Sequence, residues 1–206
     1  MKRRIDGTNC FFVTMRHGLL LPCAYEATKA LNHSRPKMKT LLLVYHSTTG
    51  ATAQMANAAA EAAKRIECAP GETKVSVRLL HASEAGPADL LGADAYIFAS
   101  PENLAAIAGL MKDFFDRSYY AVLDQINGRR FGLIVCAGSD GTNAVRQIER
   151  IATGWRLQAA HAPIIVCTRA QSTEAILAPK CVSASDLARA EELGATMAAG
   201  LALGAF

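Results

Sequence analysis

Apolar residues fall into five short runs along the chain, each followed by a polar or glycine-bearing turn. Residues 41–45, 95–99, 131–137 and 163–168 are nearly unbroken apolar stretches. That is the pattern of strands buried on both faces of a parallel sheet. Residues 74–80 alternate instead, through Val75, Val77 and Leu79, and predict a strand with one wetter face. The segments between carry helical spacing. Met55, Ala58, Ala59, Ala62, Ala63 and Ile66 form a small-residue face suited to close packing on a sheet, and Pro70-Gly71 ends that helix. Ile107, Leu110, Met111, Phe114 and Phe115 predict a helix running to Tyr119 and Tyr120; Ile148, Ile151 and Trp155 predict another. Gly86-Pro87 opens a short helical connection at 88–91, and the last helix starts at 183–186 and runs to about Leu203. Residues 169–182 read as a longer connection.

The order is β-α-β-(short α)-β-α-β-α-β-α. It predicts an α/β fold with a doubly wound five-stranded parallel sheet in the order 2-1-3-4-5, helices on both faces and right-handed crossovers. In that order ligands bind beyond the strand C-termini, where strands 1 and 3 diverge. Three polar or glycine-bearing loops converge there: residues 46–52, 100–104 and 137–143.

Composition narrows the class. The chain has 206 residues, half of them hydrophobic and under a fifth charged, which fits one well-packed domain. No apolar run reaches the roughly 18 residues that span a bilayer, so no membrane role is expected. Residues 1–38 hold seven Lys/Arg against Asp6 and Glu26, a net +5; the total of +4 leaves −1 for the rest. The basicity belongs to this extension, and the domain at residues 39–206 offers no case for nucleic acid. The extension, broken by Arg16 and His17, makes a poor signal peptide and is read as disordered or as a mis-assigned start. The six cysteines (Cys10, Cys23, Cys68, Cys136, Cys167, Cys181) show no C-x-x-C pair, which reads as reduced thiols in a cytoplasmic protein. Cys136 and Cys167, at strand ends, are expected as small buried hydrophobes. Neither histidines nor cysteines show metal-ligand spacing, and no metal is expected.

The first loop carries the sharpest chemistry. Ser47-Thr48-Thr49-Gly50-Ala51-Thr52 lies where a buried strand turns into a helix. Unpaired N–H groups and the dipole at a helix start suit a phosphate. Gly50 allows close backbone approach, and Ser47, Thr48, Thr49 and Thr52 add hydroxyls. The nucleoside triphosphatase pattern G-x-x-x-x-G-K-[ST] and the dinucleotide pattern G-x-G-x-x-G are both absent. The plainer alternative is a Ser/Thr turn that only caps a helix.

Two further segments add a resemblance. Residues 92–101, Gly-Ala-Asp-Ala-Tyr-Ile-Phe-Ala-Ser-Pro, and the later Gly109-Leu110-Met111-Lys112-Asp113-Phe114-Phe115-Asp116-Arg117 are similar to segments of the flavodoxin-like NAD(P)H-dependent FMN reductases and the related WrbA-type quinone reductases. With the hydroxyl loop, the resemblance covers roughly residues 39–203. It implies FMN as cofactor and NAD(P)H as electron donor. Residues 47–52 would hold the FMN phosphate, with Thr48 and Ala51 supplying backbone amides; Ala51 stands where many flavodoxins have Asn. Pro101, Glu102, Asn103 and Leu104 would edge the flavin ring. Ala137, Gly138, Ser139 and Asp140 would approach its pyrimidine side, where N–H groups stabilise the reduced ring. The implied reaction is ping-pong: hydride from NAD(P)H to the flavin, then electrons to a quinone or other small-molecule acceptor, with no side chain doing acid–base work.

Departures favour a reductase over an electron carrier. Electron-carrier flavodoxins stack the ring between aromatics in the second and third loops and tend to be strongly acidic; neither loop here holds an aromatic, and the domain is near neutral. Two other readings stay open: a flavodoxin-type carrier serving a partner enzyme, and a flavin-free phosphate-binding or regulatory module of the same fold. Glu102 is read as a solvated loop acid or as a group steering an acceptor, and Asp140 as the cap of the following helix. His46 is a phosphate contact or a turn residue. Arg146 and Arg150 are a solvated helix face or a contact for an NADPH phosphate. Related reductases are often dimers or tetramers, so Tyr119 and Tyr120 are candidate subunit contacts, with a place in core or surface as the alternative.

Overall fold

The first apolar run becomes β1 (Met38–Tyr45), with Leu41, Leu42, Leu43 and Val44 all buried. The computed structural model describes residues 38–67 and 73–206; the basic extension, the Pro70-Gly71 turn and Cys10, Cys23 and Cys68 lie outside the described residues. α1 (Ala51–Lys64) follows, then β2 (Lys74–His81), which pairs parallel with β1. After α2 (Pro87–Leu91), β3 (Ala95–Asn103) pairs parallel with the other side of β1. β4 (Ala106–Ile107) folds back on β3, and α3 (Gly109–Val122) leads to β5 (Arg130–Ala137), parallel to β3. α4 (Thr142–Gly154) is followed by β6 (Gln158–Ala159) and β7 (Ile164–Cys167), both on the outer edge of β5. α5 (Thr173–Leu177) and α6 (Ala184–Ala202) complete the fold.

The principal strands therefore run β2-β1-β3-β5-β7, the expected doubly wound order with β1 and β3 at the switch point. Successive side chains of a strand point to opposite faces. Leu42 and Val44 join Tyr96, Phe98, Phe114, Phe115 and Trp155 beneath α3 and α4. Leu41 and Leu43 join Met55, Ala59, Leu193 and Met197 beneath α1 and α6. The small-residue face of α1 also meets α6: a Cβ built on Gly194 would lie 1.9 Å from the Ala59 carbonyl oxygen.

The structure explains the second motif. Arg117 pairs with Asp113 at 2.8 Å and donates to the carbonyls of Ala85 (2.7 Å) and Ala82, clamping the turn after β2 onto α3. No helix among the described residues is long and apolar enough to cross a membrane.

Three elements differ from the sequence reading. The expected loop at 100–104 is not a loop: β3 runs on to Asn103 and turns through Leu104-Ala105 into β4, with Glu102 opposite Ile107 and Asn103 opposite Ala106. Ile107 thus belongs to a strand, and α3 begins at Gly109. The fifth strand is shortened to Ile164–Cys167, with Pro163, whose missing N–H cannot serve the ladder, left outside it, and the two-residue β6 precedes it unexpected. The long connection at 169–182 contains α5.

Candidate functional site

The first wall of the site is the turn from β1 into α1. Gly50 takes a left-handed conformation at φ 94° as the N-cap of α1. Its N–H donates to Ser47 Oγ at 3.2 Å, which curls the loop. No side chain caps α1, and its first turn holds no acid. The helix start therefore keeps unpaired donors and its positive dipole end for an external anion. Thr48 is exposed, while Ala51 and Thr52 are buried. Thr52 hydrogen-bonds the Cys136 thiol beneath it; burial pushes that thiol up to about 11, only partly offset by this bond. Cys136 is thus a buried small hydrophobe as expected, but Cys167 is exposed.

The second wall is the β3–β4 hairpin. Its turn residues, Leu104 and Ala105, both have positive φ, 51° and 57°. Three side-chain bonds hold it to α4 and the turn before it. Gly141 N donates to the Glu102 carboxylate at 2.9 Å, Asn143 Nδ2 to Ala105 O at 2.5 Å, and Ile107 N to Gln147 Oε1 at 3.0 Å. Glu102 is therefore not a free solvated acid.

The third wall is the end of β5. Asp140 does not cap α4 as expected. The N-cap is Gly141, no side chain caps the helix, and the Asp140 carboxylate accepts from the Thr142 hydroxyl at 2.6 Å.

All three walls meet at one cavity of about 600 Å³. It is lined by Ser47, Thr48, Thr49, Ala51 and Thr52, by Pro101 through Leu104, and by Ala137, Gly138 and Ser139. Of the sequence-predicted residues, Gly50 and Asp140 shape the turns without lining it. His46 is turned away: its Nδ1 lies 3.0 Å from His81 Nε2, and burial, then the charge of His81, holds it below its usual range. Arg146 is exposed on α4, and Arg150 lines a separate groove with Tyr119. Tyr119 stacks on Trp155 in the core, and Tyr120 is exposed.

A fourth wall was missed from sequence. Thr168, Ala170, Ile176, Leu177 and Lys180 line the same cavity. Lys180 N donates to Thr49 O at 2.8 Å, and Gln54 bridges the two segments, donating to Lys180 O at 2.6 Å and accepting from Val182 N at 3.1 Å. The Lys180 ammonium is spent on carbonyls at the end of α5: Ala175 (2.6 Å), Ile176 (2.9 Å) and Ala178 (2.6 Å). The available signal was Ser172, an N-cap residue followed by Glu174 in the first turn.

An uncapped helix start that opens into a cavity at the switch point of a doubly wound sheet is the arrangement of a class of ligand-binding α/β proteins. Within that class the chain belongs to the NADPH-dependent FMN reductase family, whose sequence profile matches residues 38–171. It is 37% identical over 102 residues to a flavodoxin of Aquifex aeolicus, covering 50% of this chain and 50% of that protein. It is 36% identical over 95 residues to an NAD(P)H dehydrogenase (quinone) of Acidithiobacillus ferrooxidans, covering 39% of this chain and 48% of that one. The chain spans about half the length of these curated relatives. A flavodoxin, WrbA-like protein from Agrobacterium tumefaciens shares the fold, with a TM-score of 0.56 at 23% identity over 78% of this chain and 96% of that chain.

Proposed function

We propose that this protein is an FMN-binding oxidoreductase that passes electrons from NAD(P)H to a small acceptor such as a quinone. The observation that carries the reading is the uncapped start of α1 with its hydroxyl loop at one wall of the cavity. The residues present fit the cofactor. The Ser47 to Thr49 hydroxyls and the first N–H groups of α1 suit its phosphate, while the ends of β3 and β5 supply a backbone-rich slot for a flat ring. When bound, FMN supplies the two-electron relay, with the balance NAD(P)H + H⁺ + quinone giving NAD(P)⁺ + hydroquinone.

The chain binds, orients and shields. Gly141 N holds Glu102 on the hairpin, and the Cys136 thiol stays protonated near neutral pH. Ala137, Gly138 and Ser139 put backbone beside the ring position, where N–H groups stabilise negative charge. Among the described residues no Phe, Tyr or Trp lines the cavity, which favours a ring face open to nicotinamide and then to the acceptor. The Aquifex flavodoxin relative keeps an electron-carrier reading in play.

The test is the visible absorption spectrum with and without added FMN. A retained flavin band that bleaches on adding NADPH or NADH supports the reductase. A retained band that neither nucleotide bleaches supports the carrier. Absence of a band after FMN is supplied overturns both.

A further inference from the structure

We propose that Leu104, on the β3–β4 turn, and Ile176 and Leu177, on α5, form an apolar mouth that selects apolar ring acceptors over hydrophilic ones. The proposal rests on the reductase reading above.

Single exposed leucines need no explanation. Here three apolar side chains, from two segments distant in sequence, stand at one cavity: Leu104 is fully exposed, Ile176 is 52% exposed and Leu177 72%. Their placement is also costly. A two-residue hairpin turn with positive φ at both positions favours Asn-Gly, and this one carries Leu-Ala. Strained residues persist where their surroundings fix them, and they cluster at ligand clamps. The three bonds through Glu102, Asn143 and Gln147 fix this turn. On the other side, Gln54 and the Lys180 backbone tie the α5 segment to the phosphate loop.

The two charged side chains that line this cavity are both engaged. Glu102 is bound to Gly141 N, and the Lys180 ammonium is bound to three carbonyls. A hydrophilic acceptor therefore finds no ammonium N–H left to donate at Lys180. An apolar quinone finds three aliphatic side chains whose surface it takes out of water.

The experiment uses the full chain with FMN and compares wild type with Leu104→Asn and with the pair Ile176→Ser, Leu177→Ser. It reads four quantities: melting temperature, FMN affinity by flavin fluorescence, menadione binding to the flavin-loaded protein by equilibrium dialysis, and the ratio of kcat/KM for menadione to that for ferricyanide. The proposal expects the acceptor ratio and menadione affinity to fall at least about tenfold in both variants. It also expects Leu104→Asn to melt higher, since Asn tolerates positive φ. An unchanged acceptor ratio and unchanged menadione affinity overturn the mouth alone. Loss of FMN affinity with an unchanged acceptor ratio also overturns it, and makes these side chains flavin contacts. A wild type that binds menadione through these residues but does not oxidise NAD(P)H overturns the reductase reading and leaves the apolar mouth standing.

Discussion

The Glu102 carboxylate accepts from Gly141 N at 2.9 Å, so the tip of β3 is tied to the N-cap of α4. The bond joins two walls of the cavity and places a negative charge at the positive end of a helix.

Removing that carboxylate should loosen both walls. Glu102→Ala leaves a half-buried N–H without its partner and should cost about 1–2 kcal/mol. Glu102→Gln keeps an acceptor and should recover part of it. Urea denaturation of the two variants measures the difference. Equal stability of wild type and Glu102→Ala would mean that the bond contributes nothing in solution.

Thr48→Asp separates helix capping from phosphate binding. Thr48 is exposed beside the uncapped start of α1. A carboxylate there interacts favourably with the helix dipole, so the flavin-free protein should be unchanged or more stable by about 0.3–1 kcal/mol. The same charge repels a phosphate, and FMN affinity should drop at least about tenfold. Riboflavin, which lacks the phosphate, serves as the control in the same fluorescence titration. Equal losses for both flavins would remove the phosphate from this loop.

The residues that the sequence made legible are those whose signals are local. Unbroken apolar runs marked β1, β3 and β5, and the hydroxyls around Gly50 marked the turn into α1. The β3–β4 turn was hidden because Leu104 and Ala105 are not turn formers, so nothing local announced positive φ. Asp140 looked like a cap because it precedes a helix, but the N-cap position falls one residue later, on Gly141, and the Asp140 carboxylate turns to the Thr142 hydroxyl. The α5 wall depends on Gln54 meeting Lys180 across the chain, and side chains that meet through folding leave no spacing to read.

Gly194→Ala tests the close approach of α6 to α1. The new Cβ would fall 1.9 Å from Ala59 O and 2.6 Å from the Ala59 carbonyl carbon. Backbone cannot rotate aside as a side chain does, so α1 and α6 must separate. Overpacking a tight core costs about 1–3 kcal/mol, and this site should lie at the top of that range or above it. Because α1 begins at the proposed phosphate loop, FMN affinity should fall with stability. A variant as stable as wild type by urea denaturation would show that the helices do not approach this closely.

His46 and His81 give the protein an acid-side sensitivity of definite sign. Their ring nitrogens lie 3.0 Å apart, a distance at which one proton is shared and two collide. Tyr45 packs its ring edge against His81, and Ser83 Oγ lies 2.7 Å from His81 Nδ1. Burial, and then the charge of His81, lowers His46 from its ordinary 6.5. In the unfolded chain His46 takes its proton near that ordinary value; in the folded chain it waits for a lower pH. Between the two values the unfolded state binds more protons, so stability falls as pH drops through that window and the loss is then constant below it. Above the unfolded value both states are unprotonated and the contribution is intact. His81→Gln removes the like charge but not the burial, so His46 should titrate at higher pH and the acid-side loss should shrink. The His46 Cε1–H shift followed by NMR, with urea midpoints on either side of the window, reads both effects. A His46 titration that is the same with and without His81 would show that the pair is not electrostatically coupled and would leave burial as the whole cause.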